Sequence, residues 1–148
     1  MEPRMEILNS CERYRVRNVL LATGVTGLLE GEPIQLDSAG KGIKIGSTAA
    51  SSPFTYLVYE EDSNSPGTWP NAGVAVIEIF GHLNIRTTVY NAAKTYAIGS
   101  ALTLVSGKWD LATFEQKIFG YAQVLPASQD APMEIQCIEN GITLPAEA

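Results

Sequence analysis

The residues able to carry acid–base, nucleophilic or metal chemistry are few and scattered. There is one histidine, His82, and there are two cysteines, Cys11 and Cys137, one near each end of the chain. A histidine-based triad would have to use His82, which lies in the pair Gly81-His82 between two alternating runs and reads as a turn residue. A zinc site needs about four ligands, and the cysteines form no Cys-x-x-Cys pair that would nucleate one. The acidic run Glu60-Glu61-Asp62, with Asn64 close behind, has the hard oxygen donors that calcium takes, but its spacing follows no EF-hand frame and reads as solvated loop charge. Gly40-Lys41-Gly42 lacks the preceding parallel strand and following helix of a phosphate loop, and reads as a hairpin turn. A hydrolase using Asp62 or Glu78 is thereby disfavoured, and no cofactor or metal is expected.

Aromatic side chains offer a different chemistry, stacking on sugars. Tyr56, Tyr59, Tyr90, Tyr96 and Trp109 fall inside alternating segments, where an aromatic serves core or cross-strand packing. Trp69, between Pro66-Gly67 and Pro70 in a polar stretch, is either a plug on the sheet or an exposed anchor for a partner.

The elements that would position these residues are strands. Glycine and proline cut the chain into short segments, none with a sustained 3.6-residue apolar repeat. Tyr14, Val16 and Asn18 alternate with Arg13, Arg15 and Arg17, which predicts a strand over 14–22 with one wet face. Residues 28–46 read as a hairpin around the loop 37–42, and residues 54–59 as a strand followed by a long polar connection over 60–73. In 73–90, Val74, Val76, Glu78 and Phe80 fall on one face and Ala75, Ile77 and Ile79 on the other; with Leu83, Ile85, Thr87 and Val89 beyond Gly81-His82, the pattern predicts a hairpin. A helical turn at 91–94, strands at 96–105, 109–112, 118–125 and 133–138, and a polar tail from Glu139 to Ala148 complete the reading.

A short echo runs through the chain. Gly31 to Leu36 followed by Gly40-Lys41 is matched by Gly99 to Leu104 followed by Gly107-Lys108. Convergence on one turn chemistry and duplication of a unit both account for it.

Composition bounds what such a chain does. Its 148 residues make one domain's worth of protein, 45% hydrophobic and 18% charged, which describes a folded globular chain. A formal charge of −6 opposes binding to a nucleic-acid backbone. Without a long apolar run or a signal-peptide segment, no membrane association is expected and the chain is read as soluble and unprocessed, with both cysteines reduced. Residues 1–13 mix charge with Ile7 and Leu8 without a period and read as an N-terminal arm, whose order depends on what it packs against, ahead of a β-rich domain over 14–148.

The stretches 78–86 (EIFGHLNIR), 96–108 (YAIGSALTLVSGK), 119–123 (FGYAQ) and 132–138 (PMEIQCI) resemble, in content and order, the head decoration or capsid cement proteins of tailed bacteriophages. The resemblance covers roughly residues 28–138 and leaves the first thirteen unmatched. It implies an all-β fold, a compact single-domain β-barrel or β-tulip-like body with an extended N-terminal arm, and no catalysis. It also implies assembly as a homo-oligomer, a trimer, on the outer surface of the expanded virion head, with the major capsid protein as partner and the host cytoplasm as the place of synthesis. The arm residues Met1, Glu2, Pro3, Arg4, Met5, Glu6, Ile7 and Leu8 are then the expected capsid contacts, mobile until bound because few apolar groups compensate the entropy of ordering them. The rival reading is a carbohydrate-binding or tail-fibre β-sandwich module, which requires Trp69, Tyr59 or Tyr90 exposed together on one surface.

Overall fold

The computed structural model describes residues 4–8, 16–52, 54–59, 73–79 and 83–143. They form eleven strands and, among the described residues, no helix: β1 (Met5–Ile7), β2 (Val16–Leu20), β3 (Pro33–Leu36), β4 (Gly42–Lys44), β5 (Thr55–Val58), β6 (Gly73–Glu78), β7 (Asn84–Thr87), β8 (Ala101–Val105), β9 (Lys108–Leu111), β10 (Lys117–Val124) and β11 (Met133–Thr143). Two curled antiparallel sheets result, one of six strands in the order β1-β7-β11-β10-β8-β9 and one of five in the order β2-β6-β5-β3-β4. This is the all-β, barrel-like architecture expected from the alternation.

The two strand orders are one order written twice. Replace β2 to β6 by β7 to β11 in chain sequence and the five-stranded sheet becomes the six-stranded one, with β1 added outside β7. The registers agree residue by residue. Val19 pairs with Val74 as Thr87 pairs with Met133, and Val58 pairs with Val76 as Ala122 pairs with Ile135. Ile34 lies between Lys44 and Tyr56 as Leu102 lies between Leu111 and Gly120. Gly31 and Gly99, at φ 85° and 89°, each send an N–H across to the neighbouring strand, to the carbonyls of Val58 and Ala122. Each sheet also curls until its first strand touches its last: isolated parallel bridges join Leu21 to Gly42 and Tyr90 to Trp109. The echo in the sequence is thus a repeat of a whole five-stranded unit.

Burial explains how the copies differ. Positions facing the inside of each curl are apolar in both, with Ile34, Val58, Val74 and Val76 in the first unit and Leu102, Ala122, Met133 and Ile135 in the second. On the outside the copies part. Leu57 and Ile77 of the first unit are fully buried in the core shared with the second, whereas their counterparts Tyr121 and Gln136 are half-buried and exposed. The first unit therefore has two apolar faces and reads as a continuous apolar run in β5 and β6.

Several expectations are corrected. The 73–90 segment is no hairpin: β6 pairs with β2 and β5, β7 pairs with β1 and β11, and the two lie in different sheets because the chain passes from one unit to the next between them. Gly81 and His82 lie outside the described residues. In β2 the inward residue is Val19, facing Val74, while Asn18 and Leu20 are exposed, so the dry parity is opposite to the one the Tyr14–Asn18 pattern suggests. Residues 91–94 form a turn, and the strand expected from Tyr96 starts at Ala101. The expected tail is strand as far as Thr143, because β11 continues against β10 to the pair Lys117–Thr143. The turns at 37–42 and 106–107 stand as expected; Ser106 (φ 52°) and Gly107 (φ 71°) make the two-residue reversal between Val105 and Lys108, with both central residues at positive φ as a type I′ turn requires.

Gly120 gives a test of the interior packing. A Cβ there would sit 2.8 Å from the Ile135 side chain, 2.9 Å from the Gln136 carbonyl and 3.2 Å from the Trp109 ring, and the backbone atom has no room to move. Gly120→Ala is expected to destabilise the protein by about 1–3 kcal/mol through overpacking. Gly46→Ala, where nothing lies within 4 Å, is the control expected to leave the denaturant midpoint in place.

Candidate functional site

The residues singled out from the sequence fall into two groups. Met1, Glu2, Pro3, Cys11, Glu60, Glu61, Asp62, Trp69 and His82 lie outside the described residues. Arg4 to Leu8 are described, and they are built into the fold. β1 pairs with β7 through Met5–Thr87, Glu6–Arg86 and Ile7–Ile85. The carbonyl of Arg4 accepts from the Thr88 N–H at 3.0 Å and the Thr87 hydroxyl at 2.9 Å, and Leu8 N–H donates to the Asn84 carbonyl at 2.8 Å. Met5 is buried in the shared core and packs under Gly31, where an added Cβ would stand 3.0 Å from its own.

The expectation that the arm stays mobile until bound is corrected for residues 4–8, which pair with β7 of their own body. Burial of Met5 and pairing along a free sheet edge supply the compensation that composition alone seemed to deny. What β1 offers outward is its second edge and the exposed Glu6. Glu6 stands 3.7 Å from Arg86, whose guanidinium also holds Glu134 at 2.9 Å, so a charge-alternating row crosses β1, β7 and β11. The hydrogen bond that Arg86 donates to Glu134, and then the charge of that carboxylate, hold the Arg86 pKa above its ordinary value.

Two of the aromatic candidates, Tyr90 and Tyr96, line a shallow pocket of roughly 350 Å³ together with Lys94, Leu125 and Pro126, among others. Tyr90 and Tyr96 meet edge to face at 5.8 Å, and both are buried. Their hydroxyls are engaged with backbone carbonyls, Tyr90 with Ala131 and Tyr96 with Asn91 at 2.8 Å. Lys94 is held by Asp110 at 3.3 Å, which also accepts from the Asn91 amide at 3.0 Å. Tyr90 is therefore no exposed stacking shelf, as the carbohydrate-binding reading requires.

Other candidates resolve into structure. Asp37 accepts from the N–H groups of Ala39 and Lys41 at 2.8 and 2.9 Å, so its carboxylate occupies the loop in which Gly40-Lys41-Gly42 lies. Cys137 is a free thiol, fully buried, and burial pushes its pKa up, which keeps it protonated and unreactive. Among the described residues no group of three His, Cys, Asp or Glu converges as a metal site, and no helix is long and apolar enough to cross a membrane.

The sequence reading passed over exposed apolar side chains. Ile98 is 74% exposed and Val124 is 46% exposed; both stand at one end of the six-stranded sheet, where the Gly99 N–H bonds the Ala122 carbonyl. Phe54 and Phe114 are exposed on other loops. In the sequence Ile98 lies inside the segment read as a strand over 96–105, and only its place directly before a turn glycine sets it apart. No protein-family model, curated protein or solved structure matches the chain.

Two outcomes check this account. Met5→Ala is expected to lower stability by about 2 kcal/mol or more, the usual cost of truncating a buried methionine, measured by denaturant unfolding; a mobile arm would leave the midpoint unmoved. The second concerns pH. Burial first, and then the charges of Asp130 at Tyr90 and Asp110 at Tyr96, hold both phenols above the ordinary value near 10. A group whose folded pKa is raised contributes stability fully below its unfolded value and loses it as pH climbs toward the folded one. Tm should therefore be flat through pH 9 and fall above about 10, and Tyr96→Phe should flatten that alkaline limb.

Proposed function

We propose that the chain is a non-catalytic structural protein of a phage head, which binds the outside of the expanded shell as a homo-oligomer and stiffens it. The reading rests on the resemblance to head decoration proteins, and one observation carries it beyond a scatter of motifs. The stretches 96–108, 119–123 and 132–138 supply β8, the first residue of β9 and parts of β10 and β11, which are neighbouring strands of a single sheet. Apart from the start of 78–86, which lies at the end of β6, the resembling stretches thus fall in the second unit, and that unit presents Ile98 and Val124 at its end.

In this reading the contact with the major capsid protein is made by the second unit. Ile98 and Val124 supply apolar contact, while β1 remains on β7 and presents the Glu6 carboxylate to the shell. A binding surface repeated on every protomer of an oligomer gains by multivalency on a repeating lattice.

The test is co-sedimentation with shells of the phage that encodes the chain. Binding is expected to saturate on expanded shells and to be absent on unexpanded ones. The double variant Ile98→Asp/Val124→Asp should bind at least about tenfold more weakly with an unchanged Tm, since burying two carboxylates in an apolar contact costs more than 1.4 kcal/mol. Equal binding to both shell forms, or none to either, sinks the reading.

A further inference from the structure

The repeat makes one unfilled position visible. In the second unit the edge of β7 turned away from β11 is covered by β1. The matching edge in the first unit is that of β2, whose single strand neighbour among the described residues is β6. The orientation of its groups follows from the ladder. Ala22 N–H donates to the Gly42 carbonyl, on the side of β2 away from β6, and alternation puts the N–H and C=O of Leu20, Asn18 and Val16 on that same side. In β7 the equivalent groups, the Asn84 carbonyl and the Thr88 N–H, are the ones that bond to β1.

The other sheet edges carry an exposed charge, Glu6 on β1, Lys44 on β4 and Lys108 on β9, which discourages strand addition. Among the β2 side chains that the structure describes, the exposed ones are Asn18 and Leu20, both uncharged, with Leu20 37% accessible.

We infer that β2 is a pairing edge for a second copy of this chain, antiparallel to β2 of the partner across a two-fold axis. The segment Val16-Arg17-Asn18-Val19-Leu20 is self-complementary in that geometry. Centred on Asn18, it sets Asn18 against Asn18 of the partner subunit, and Val16 against Leu20 of the partner subunit twice over. Arg17 falls opposite Val19 of the partner subunit, so no like charges face each other. The outward N–H and C=O of Asn18 make it a hydrogen-bonded pair in the new ladder. An isologous contact of this kind closes on itself and yields a discrete dimer with one sheet running through both copies. The inference goes beyond shell binding and sets a two-fold pairing in place of the trimer that the resemblance implies; its test needs only the protein free in solution, so it can fail while shell binding holds.

Light scattering from micromolar to sub-millimolar concentration should give a dimer mass for the wild type. Asn18→Pro removes only an outward-facing N–H, which proline tolerates at a sheet edge, and should give a monomer with an unchanged Tm. Leu20→Lys, a charge on the same exposed edge, should give a monomer as well and serves if the proline variant fails to fold. A wild type that is monomeric throughout the range, a trimer, or a dimer retained by either folded variant would overturn the inference.

Discussion

A large aromatic ring lies inside each curled sheet opposite a glycine-bearing strand, and much of the structure follows from how space is found for it. In the second unit the ring is Trp109 on β9, fully buried, and the strand on the far side of β8 supplies Gly120 to make room for it. The first unit solves the problem in mirror fashion. Its ring is Tyr56, at the position of Gly120, and the glycine is Gly42, at the position of Trp109, where a Cβ would meet Val19, Leu21 and Ile34 at 3.0–3.2 Å. Two glycines with no turn to make are thereby explained by close packing across a strand. The same exchange fixes closure, because Gly42 and Trp109 are the residues that bridge back to the first strand of each unit.

Around these two interiors the surface has diverged according to what covers it. The first unit lies against the second and needs Leu57 and Ile77 on its outer face; the second faces solvent there and carries Tyr121 and Gln136. Backbone bonds stitch the units together beside this core, with Ala50 N–H on the Leu104 carbonyl at 2.8 Å and Ser106 N–H on the Gly46 carbonyl at 2.7 Å. Not every polar group is met: among the described residues the Trp109 indole N–H and the Thr103 hydroxyl are buried without a partner, a cost of the order of 1–3 kcal/mol each that the packing of the second unit offsets.

Much of this was legible in the residues. Period-two alternation located most strands, and turn chemistry located the two hairpins at 33–44 and 101–111, because those signals are local. Partner choice is not local. The Gly81-His82 neighbourhood carries a good hairpin pattern, yet β6 finds better company in β2 and β5, so the alternation was right and the pairing wrong. The repeat surfaced only as two glycines and two Gly-Lys turns, since equivalent positions share burial without identity, as Thr87 and Val19 or Gly120 and Tyr56 show. Met5 was unreadable as a core residue because nothing near it in the chain hints that Gly31 leaves a hollow over it. Of the candidate site, Ile98 and Val124 read as ordinary residues of expected strands, and exposure is a property of the folded surface.

The core shared between the units has a consequence for how the chain reaches this state. Leu57, Ile77 and Ile79 belong to the first unit in sequence but are dry only when the second unit is in place. During synthesis the first unit emerges earlier, so an apolar strip on β5 and β6 waits uncovered while the remaining strands are made, the situation in which partly folded β chains associate wrongly. Ladders as distant in sequence as β1 with β7 and β2 with β6 must also close before the sheets are complete, which makes assembly slow for a chain of this size. The two units therefore share a single folding event: the second half acts as the lid that makes the first half soluble.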